Sequence, residues 1–238
     1  MAHPRFQRTF PFFLAFFLAL PAAAQQEDKI KKAVESKLNI QVTSVTKTGY
    51  LGLYEVYFDG RILYTDEKIS AFLDGNLVDG NTLKSVTATR MDVLTRVRFS
   101  DLPVKQAIRQ VRGNGKRVLA TFEDPNCGYC KHLNRELARL DNVTIYTFLY
   151  PILGEDSLVK SRQIWCARDQ AKAWSNWMAH GKAPGGAGNC DISALVRNQA
   201  YGRKSGITAV PTLFFSDGVR ASGALPLADI EKKMNSLL

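Results

Sequence analysis

The chain has 238 residues, of which 45% are hydrophobic and 23% charged, and its formal net charge is +10. This composition is typical of a globular protein with one or two domains, and it excludes disordered, collagen-like and polytopic membrane chains. The basic side chains are scattered and do not alternate with aromatic residues, so we expect a solvated basic surface and no nucleic-acid partner.

The N-terminal segment has the three parts of a secretory signal. A basic start precedes an almost wholly apolar run over residues 10–20, and small residues follow up to Ala24. This run is too short to span a bilayer, so stable membrane insertion is not expected. We predict a signal peptide over residues 1–24, cleaved near Ala24, and export to an oxidising compartment where the four cysteines can form disulfides.

Residues 25–88 are predicted to form one small unit. Apolar residues recur at helical spacing over residues 27–38. Four β-rich runs follow, punctuated by Asp-Gly turns, over residues 40–47, 51–58, 62–64 and 68–73. This order predicts an antiparallel sheet with one helix. Such a unit has a modest core and exposed sheet edges, which favours self-association.

Residues 89–115 are predicted to be a linker with a connecting helix. A first short helix is expected around residues 91–97, and a second is expected to begin near Pro103. The apolar residues at helical spacing in this second helix are Val104, Ala107, Ile108 and Val111. The Gly-Asn-Gly sequence at 113–115 should end it.

From residue 116 onward, strands and helices alternate. The predicted elements, in order, are a strand over 117–123, a helix over 127–140, a strand over 143–149, a long helical stretch over 157–180, a helix near 191–203, a hairpin of strands 213–216 and 219–222, and a helix over 227–238. This order implies a sheet with helices on both faces.

The strongest chemical signal is Cys127-Gly128-Tyr129-Cys130, at the point where a strand ends and a helix begins. The spacing brings both sulfurs within bonding reach in the first helical turn. Cys127 faces the positive end of the helix and its unpaired N–H groups, which favour the nucleophilic thiolate over the thiol. Cys130 lies on the apolar side of the helix, so we expect it to be the buried thiol that resolves a mixed disulfide.

A cysteine pair at this spacing can also hold zinc, attach haem or form an inert structural disulfide. A zinc site requires a second pair of ligands, and c-type haem attachment requires a histidine where this chain has Lys131. The inert disulfide remains an alternative. We favour redox chemistry at Cys127 and Cys130, without a metal and without a cofactor.

The other two cysteines suggest a structural role. Cys166 lies in an amphipathic helical stretch and Cys190 at the end of a Gly-rich loop. The simplest interpretation in an oxidising compartment is a disulfide between them, with a second redox pair as the alternative. Pro211, preceded by Val210, is expected at the start of a strand because proline has no N–H to donate to a sheet.

These residues together resemble a known family. The sequences FEDPNCGYC, IWCARD and GITAVPTLFFSDG, following a signal peptide and a small α+β unit, are similar to the DsbC family of periplasmic disulfide isomerases, which is related to DsbG. The resemblance implies an α+β cystatin-like dimerisation domain over residues 25–88 and a helical linker over 89–115. It also implies an α/β thioredoxin-fold catalytic domain over 116–238, with a helical insertion at about 155–205.

The resemblance also implies roles for the site residues. Cys127 attacks an incorrect disulfide in a client protein and Cys130 resolves the intermediate. Pro211 is in the cis form, and the backbone of Val210 hydrogen-bonds the client. Gly128 and Tyr129 complete the active site, and Cys166 and Cys190 match the structural disulfide of the family. The implied partners are misoxidised exported proteins, the membrane reductase DsbD and a second copy of this chain.

Two departures from the family pattern affect the interpretation. Val210 replaces the usual threonine, as in the oxidase DsbA. Thr121 lies where thioredoxin and DsbA carry a buried carboxylate, so no acid is assigned as a proton relay. Glu123 and Asp124 lie near the cysteine pair, and the sequence is equally consistent with a turn or capping role for them and with a role in proton transfer. We predict a disulfide isomerase with chaperone activity; the alternatives are a DsbG-like reductase of sulfenylated cysteines, a redox-independent holdase and a DsbA-like oxidase.

Overall fold

Within residues 22–186 and 188–238, which the computed structural model describes, the chain forms two β-sheets. The first sheet is antiparallel and follows helix α1 (Ala22–Leu38). Its strands, in both chain and sheet order, are β1 (Ser44–Lys47), β2 (Tyr54–Phe58), β3 (Arg61–Thr65) and β4 (Phe72–Leu73). One helix with an antiparallel sheet is the arrangement predicted for this part of the chain.

Helix α1 covers one face of the first sheet. Ile30 and Val34 lie one turn apart and therefore project from the same side of the helix. Both are buried in one cluster with Val56 and Phe58, which alternate along β2 and so share a face. Each such buried side chain stabilises the fold by about 2 kcal/mol relative to an exposed one.

The predicted signal peptide lies outside the described residues, apart from residues 22–24, which belong to α1. Among the helices that the structure describes, none combines the length and the hydropathy needed to cross a lipid bilayer. The cleavage near Ala24 therefore stays a prediction.

The connection between the two sheets differs from the prediction. Helix α2 (Val86–Leu94) begins earlier than expected, and the Ser85 side chain caps it by accepting a hydrogen bond from the Ala88 N–H at 3.0 Å. The helix predicted from Pro103 is wrong. Two short 3-10 turns, Phe99–Asp101 and Val104–Gln106, lead instead into strand β5 (Ile108–Arg112).

Strand β5 belongs to the second sheet, although the sequence assigned its residues to the linker. It pairs with β7 in antiparallel orientation, and the chain reverses after it at Gly113 and Gly115, which both have positive φ. Only Ile108 of this edge strand is buried. The apolar spacing that suggested a helix is thus produced by a 3-10 turn followed by a strand.

The second sheet has the strand order β5-β7-β6-β8-β9. Strands β6 (Arg117–Glu123) and β7 (Val143–Leu149) are parallel, have the bounds predicted from the sequence, and form the only parallel pair among the described strands. The other elements are α3 (Gly128–Leu137), α4 (Glu155–Trp165), α5 (Gln170–His180), α6 (Ser193–Lys204), β8 (Thr212–Phe215), β9 (Arg220–Ser222) and α7 (Leu227–Asn235). The helical stretch predicted over 157–180 is divided into α4 and α5.

Helices cover both faces of the second sheet, as predicted. Leu119 of β6 packs with Leu133 of α3 and Ile230 of α7. Phe122, on the opposite face of the same strand, stacks on Tyr201 of α6 with ring centroids 5.8 Å apart. This alternation assigns every second residue of β6 to the face that carries α3.

Close backbone contacts join the first sheet and the connecting segment to the turns on either side of β8. A Cβ atom on Gly60, in the turn between β2 and β3, would lie 2.5 Å from the carbonyl oxygen of Gly206. The Val97 N–H donates to the carbonyl of Gly218 at 3.1 Å, where a Cβ atom would also collide. A side chain at Gly60 or Gly218 would therefore push these backbone segments apart. Gly206 belongs to the loop that ends at Pro211.

Candidate active site

Helix α3 begins at the cysteine pair. Cys127 is its N-cap residue, with φ −74° and ψ 121°, and its Sγ accepts a hydrogen bond from the Cys130 N–H at 3.3 Å. The turn from β6 into this cap is fixed by Asp124, whose side chain accepts the Asn126 N–H at 2.8 Å. The Cys127 sulfur therefore lies at the positive end of the helix, as the sequence predicts.

The two sulfurs have different environments. Neither cysteine is in a disulfide; Cys127 is 6% exposed and Cys130 is fully buried. Burial raises the pKa of the Cys130 thiol, and the negative charge of Glu123 raises it further. Because Cys130 is both inaccessible and hard to ionise, an external disulfide meets Cys127 first.

The loop before β8 completes the site. The Val210–Pro211 peptide bond is cis, and the Cys127 Sγ lies 3.5 Å from the Val210 carbonyl oxygen. The Pro211 carbonyl accepts the Gly223 N–H at 2.8 Å, which fastens the loop to the end of β9. The structure thus brings Cys127, Cys130, Val210 and Pro211 together.

Asp124 also joins the site to an apolar rim. Its carboxylate is buried and accepts hydrogen bonds from the N–H groups of Ile152 and Leu153 and from the Ser157 hydroxyl, at 2.8–3.0 Å. The side chains of Leu153 and Ile152 are 57% and 40% exposed, and Tyr129, between the two cysteines, is 72% exposed. Asp124 therefore connects the turn before Cys127 to a segment with exposed apolar side chains. These contacts agree with the turn role that the sequence allows for Asp124.

Sequence reasoning missed the environment of Glu123. This residue ends β6 and is fully buried, with Thr121 donating to its carboxylate at 2.8 Å and Asn134 of α3 as a second donor. Burial raises its pKa to about 8. The signal was present in the two-residue period of β6, which assigns Glu123 to the same face as Leu119 and thus toward α3.

Cys166 and Cys190 form a disulfide outside this site. Cys166 caps the C-terminus of α4, and the bond connects it to the segment before α6, with the two Cα atoms 5.6 Å apart. The Trp165 indole N–H donates to the Asp191 carbonyl beside it, at 3.1 Å. The bond therefore closes the loop that contains α5.

Replacing both Cys166 and Cys190 by alanine is expected to lower the free energy of unfolding by roughly 3 kcal/mol, because the unfolded chain then gains the entropy of an open loop. Urea unfolding of this variant, in a Cys127→Ala/Cys130→Ala background that isolates the effect, measures the change. A reductant should bring the background protein to the same stability and leave the variant unaltered. Equal stability of the two proteins without reductant would contradict the prediction.

The fold and the site together define a class of protein. A central sheet with helices on both faces, a free cysteine pair at the start of a helix, and a cis-proline loop against the first sulfur are the arrangement of a thioredoxin-like thiol:disulfide oxidoreductase. Comparison with family models agrees: residues 104–238 match a model described as a thioredoxin-like domain, and residues 21–88 match the disulfide bond isomerase protein N-terminal domain.

Similar proteins specify the family. The chain is 45% identical over 210 residues to the probable thiol:disulfide interchange protein DsbC of Bordetella parapertussis, covering 88% of this chain and 74% of the relative. It is 25% identical to DsbC of Escherichia coli, covering 92% and 93%. The crystal structure of a disulfide interchange protein from Neisseria gonorrhoeae aligns with a TM-score of 0.54 and 38% identity, over 57% of this chain and 97% of that one. The chain belongs to the DsbC family of thiol:disulfide interchange proteins, which confirms the predicted family and fold class.

Proposed function

We propose that this protein is a periplasmic disulfide isomerase that reduces and reshuffles incorrect disulfides through Cys127 and Cys130, and that it also has chaperone activity. The observation that carries the proposal is the asymmetry of the two thiols. Cys127 is at the helix start, accepts the Cys130 N–H and contacts the cis-proline loop, whereas Cys130 is fully buried one turn away. Membership of the DsbC family supports the same reaction.

The proposed reaction begins with the Cys127 thiolate attacking one sulfur of a client disulfide. A bond forms between Cys127 and that sulfur, and the other client sulfur leaves as a thiolate. This thiolate can attack a different disulfide of the client, and the thiolate released by that exchange then attacks the mixed disulfide. The bond to Cys127 breaks, Cys127 leaves as a thiolate, and the client is reshuffled without net oxidation. If release stalls, Cys130 attacks Cys127; the pair becomes a disulfide and the client is reduced by two electrons.

Continued activity requires Cys127 and Cys130 to be returned to the dithiol state. By similarity to the family, we assign this step to the membrane reductase DsbD. We also assign the N-terminal unit over residues 25–88 to dimerisation and the protein to the periplasm, with a signal peptide cleaved near Ala24. The match of residues 21–88 to the isomerase N-terminal domain supports the homodimer.

The chaperone part of the proposal is supported by the rim of the site. Tyr129 lies between the two cysteines, and Ile152 and Leu153 are joined through Asp124 to the turn before Cys127; all three side chains are exposed. Unfolded client chains present apolar side chains that would bury such surface. Misoxidised exported proteins are therefore the client class that suits both the dithiol and its surroundings.

The test is the reactivation of a scrambled multi-disulfide enzyme by catalytic amounts of the wild-type protein in a glutathione buffer. We expect reactivation to accelerate and Cys127 and Cys130 to be reduced in cells when trapped with an alkylating reagent. A pair that is oxidised at steady state would contradict isomerisation and indicate an oxidase. Preferential turnover of a sulfenylated client over a scrambled one would indicate a reductase of the DsbG type.

A variant in which alanine replaces both Cys127 and Cys130 distinguishes the isomerase activity from the chaperone activity. It should no longer reactivate the scrambled enzyme but should still suppress the aggregation of a reduced, unfolded protein, because the apolar rim is unchanged. Loss of both activities in a folded variant would contradict a separable chaperone activity.

A further inference from the structure

Trp177 of α5 lies directly beside the turn that precedes the cysteine pair. Its indole N–H donates to the carbonyl of Pro125, two residues before Cys127, at 2.7 Å. The side chain is partly buried and packs against the apolar cluster that contains both Cys127 and Cys130. The ring is therefore fixed next to the reactive sulfur, yet the reaction described so far gives it no role.

Two lysine side chains place their charges against this ring. The ammonium group of Lys131, from α3, lies 4.8 Å from the centre of the Trp177 ring, and that of Lys160, from α4, lies 5.1 Å from it. Both distances are in the range at which an aromatic ring attracts a cation. Three helices thus contribute one residue each to a patch of Lys131, Lys160 and Trp177, called the lysine–tryptophan patch below.

Lys131 connects this patch to the reactive cysteine. Its backbone N–H donates to the Cys127 carbonyl at 3.0 Å, so the two residues are one helical turn apart and project from the same side of α3. Side chains of a helix incline toward its N-terminus, which directs the Lys131 side chain toward the end of α3 where Cys127 lies. The residues of a client that flank its reacting sulfur therefore come close to the lysine–tryptophan patch.

The charges of the patch are not neutralised by the protein. In the part of the chain that the structure describes, neither Lys131 nor Lys160 forms an ion pair with a carboxylate. Asp156, one turn before Lys160 on α4, instead accepts a hydrogen bond from the Asn126 side chain at 2.7 Å. The two ammonium groups contact one ring and so are at most about 10 Å apart, a separation at which salt screens their repulsion only in part. A carboxylate that binds between them relieves this repulsion.

We propose that the lysine–tryptophan patch makes the protein select acidic client segments, by binding carboxylates that flank the client cysteine which Cys127 attacks. This specificity rests on the proposed function of Cys127. The ring restricts the movement of both lysine side chains before a client arrives, so less conformational entropy is lost on binding. An extended chain advances about 3.3 Å per residue, so the relevant carboxylates are those within about three positions of the client cysteine.

The patch acts on the encounter and leaves the exchange reaction itself unchanged. Complementary charges at the edge of a binding site mainly raise the rate of association and disfavour partners of the opposite charge. A lysine near a sulfur also favours its thiolate, but that effect changes the rate with every client by the same factor. The ratio of the rates with an acidic and a basic client therefore isolates the contribution of the patch to specificity.

The experiment uses three short peptides, each with one central cysteine in a mixed disulfide with 5-thio-2-nitrobenzoate, a chromogenic thiol. Two glutamates, two glutamines or two lysines flank the cysteine on each side. Attack of the Cys127 thiolate on the peptide sulfur forms a bond between them and releases the coloured thiolate, which stopped-flow absorbance records. Each rate constant is divided by that of 2-mercaptoethanol with the same peptide, which corrects for the effect of the flanking charges on the disulfide itself.

For the reduced wild-type protein at low salt, we expect the glutamate peptide to react roughly tenfold faster than the lysine peptide, and this ratio to fall as sodium chloride is added. Lys131→Gln and Lys160→Gln should each lower the ratio by roughly threefold, the effect of one exposed ion pair. Trp177→Leu should lower it too, because both lysines lose the ring that positions them. Lys68→Gln removes an exposed charge from the loop between β3 and β4 and should keep the wild-type ratio.

Equal corrected rates for the glutamate and lysine peptides would overturn the proposal, and so would a ratio that neither Lys131→Gln nor Lys160→Gln lowers. An equal decrease in Lys68→Gln would also overturn it, since the preference would then come from the net charge of the whole protein. Failure of the proposed function is a distinct result: the wild-type protein would release no coloured thiolate from any of the three peptides.

Discussion

Replacing Cys127 by serine should reduce the reactivation of a scrambled multi-disulfide enzyme to the rate seen without added protein. A serine hydroxyl is not ionised near neutral pH and does not attack disulfides, whereas the thiolate is the reactive form of cysteine. Cys130 cannot substitute, because its sulfur is fully buried and burial raises its pKa. The measurement is the initial rate of regained enzyme activity at equal concentrations of wild-type and variant protein.

The Cys130→Ser variant is the matched comparison for this prediction. It keeps Cys127 at the helix start but lacks the thiol that resolves stalled intermediates. Mixed disulfides with the client should therefore accumulate and appear on a non-reducing gel as a species that a reductant removes. Reactivation by Cys127→Ser at the wild-type rate would rule out Cys127 as the attacking sulfur.

The dithiol could be found from the sequence because its signals are local. A strand, a short turn and a helix that starts at Cys127 lie within one continuous segment, and the spacing to Cys130 follows from the geometry of one helical turn. The bounds of β6 and β7 were predicted correctly for a similar reason: buried central strands are short apolar runs with few competing interpretations.

Strand β5 shows where a local pattern is insufficient. Val104, Ala107 and Ile108 have the spacing of a helical face, but pairing with β7 determines the conformation of Ile108–Arg112. An edge strand buries little of its own surface, so its sequence carries a weak signal. The hydrogen bonds that β7 offers are a tertiary effect, which no window of the sequence contains.

The buried environment of Glu123 illustrates the same limit at the site. A glutamate followed by Asp124 and Pro125 suggests a turn, and turns are usually exposed. Its burial depends on Asn134, 11 residues away, and on Trp174, a further 40 residues along the chain. Alternation along β6 could have indicated the face on which Glu123 lies, but not that no Lys, Arg or His of the described residues forms an ion pair with it.

The burial of Glu123 should also make the protein less stable as pH rises from mildly acidic to mildly alkaline. The pKa of this carboxyl is raised from 4.5 to about 8 by desolvation, so the folded protein holds a proton that the unfolded chain releases between these values. Unfolding is then accompanied by proton release, which higher pH favours. Below about pH 4.5 the carboxyl is protonated in both states and its contribution does not depend on pH.

The size of this loss of stability follows from the width of the pH interval between the pKa of Glu123 in the unfolded chain and its pKa in the folded protein. Each pH unit within it weakens the folded state by about 1.4 kcal/mol, and the whole interval amounts to roughly 3–5 kcal/mol. The Glu123→Gln variant has no ionisable side chain at this position and can keep the contacts with Thr121 and Asn134. Its stability relative to the wild-type protein should therefore increase steadily across the window.

Urea unfolding of the reduced wild-type, Glu123→Gln and Glu67→Gln proteins at a series of pH values measures this difference. Subtracting the wild-type free energy of unfolding from that of Glu123→Gln cancels the titration of all other groups, provided that the variant leaves their environments unchanged. The difference should rise with pH for Glu123→Gln and not for Glu67→Gln, whose side chain is exposed. A flat difference would mean that Glu123 titrates at its ordinary value, and the carboxyl would then be ionised and hydrated in the folded protein.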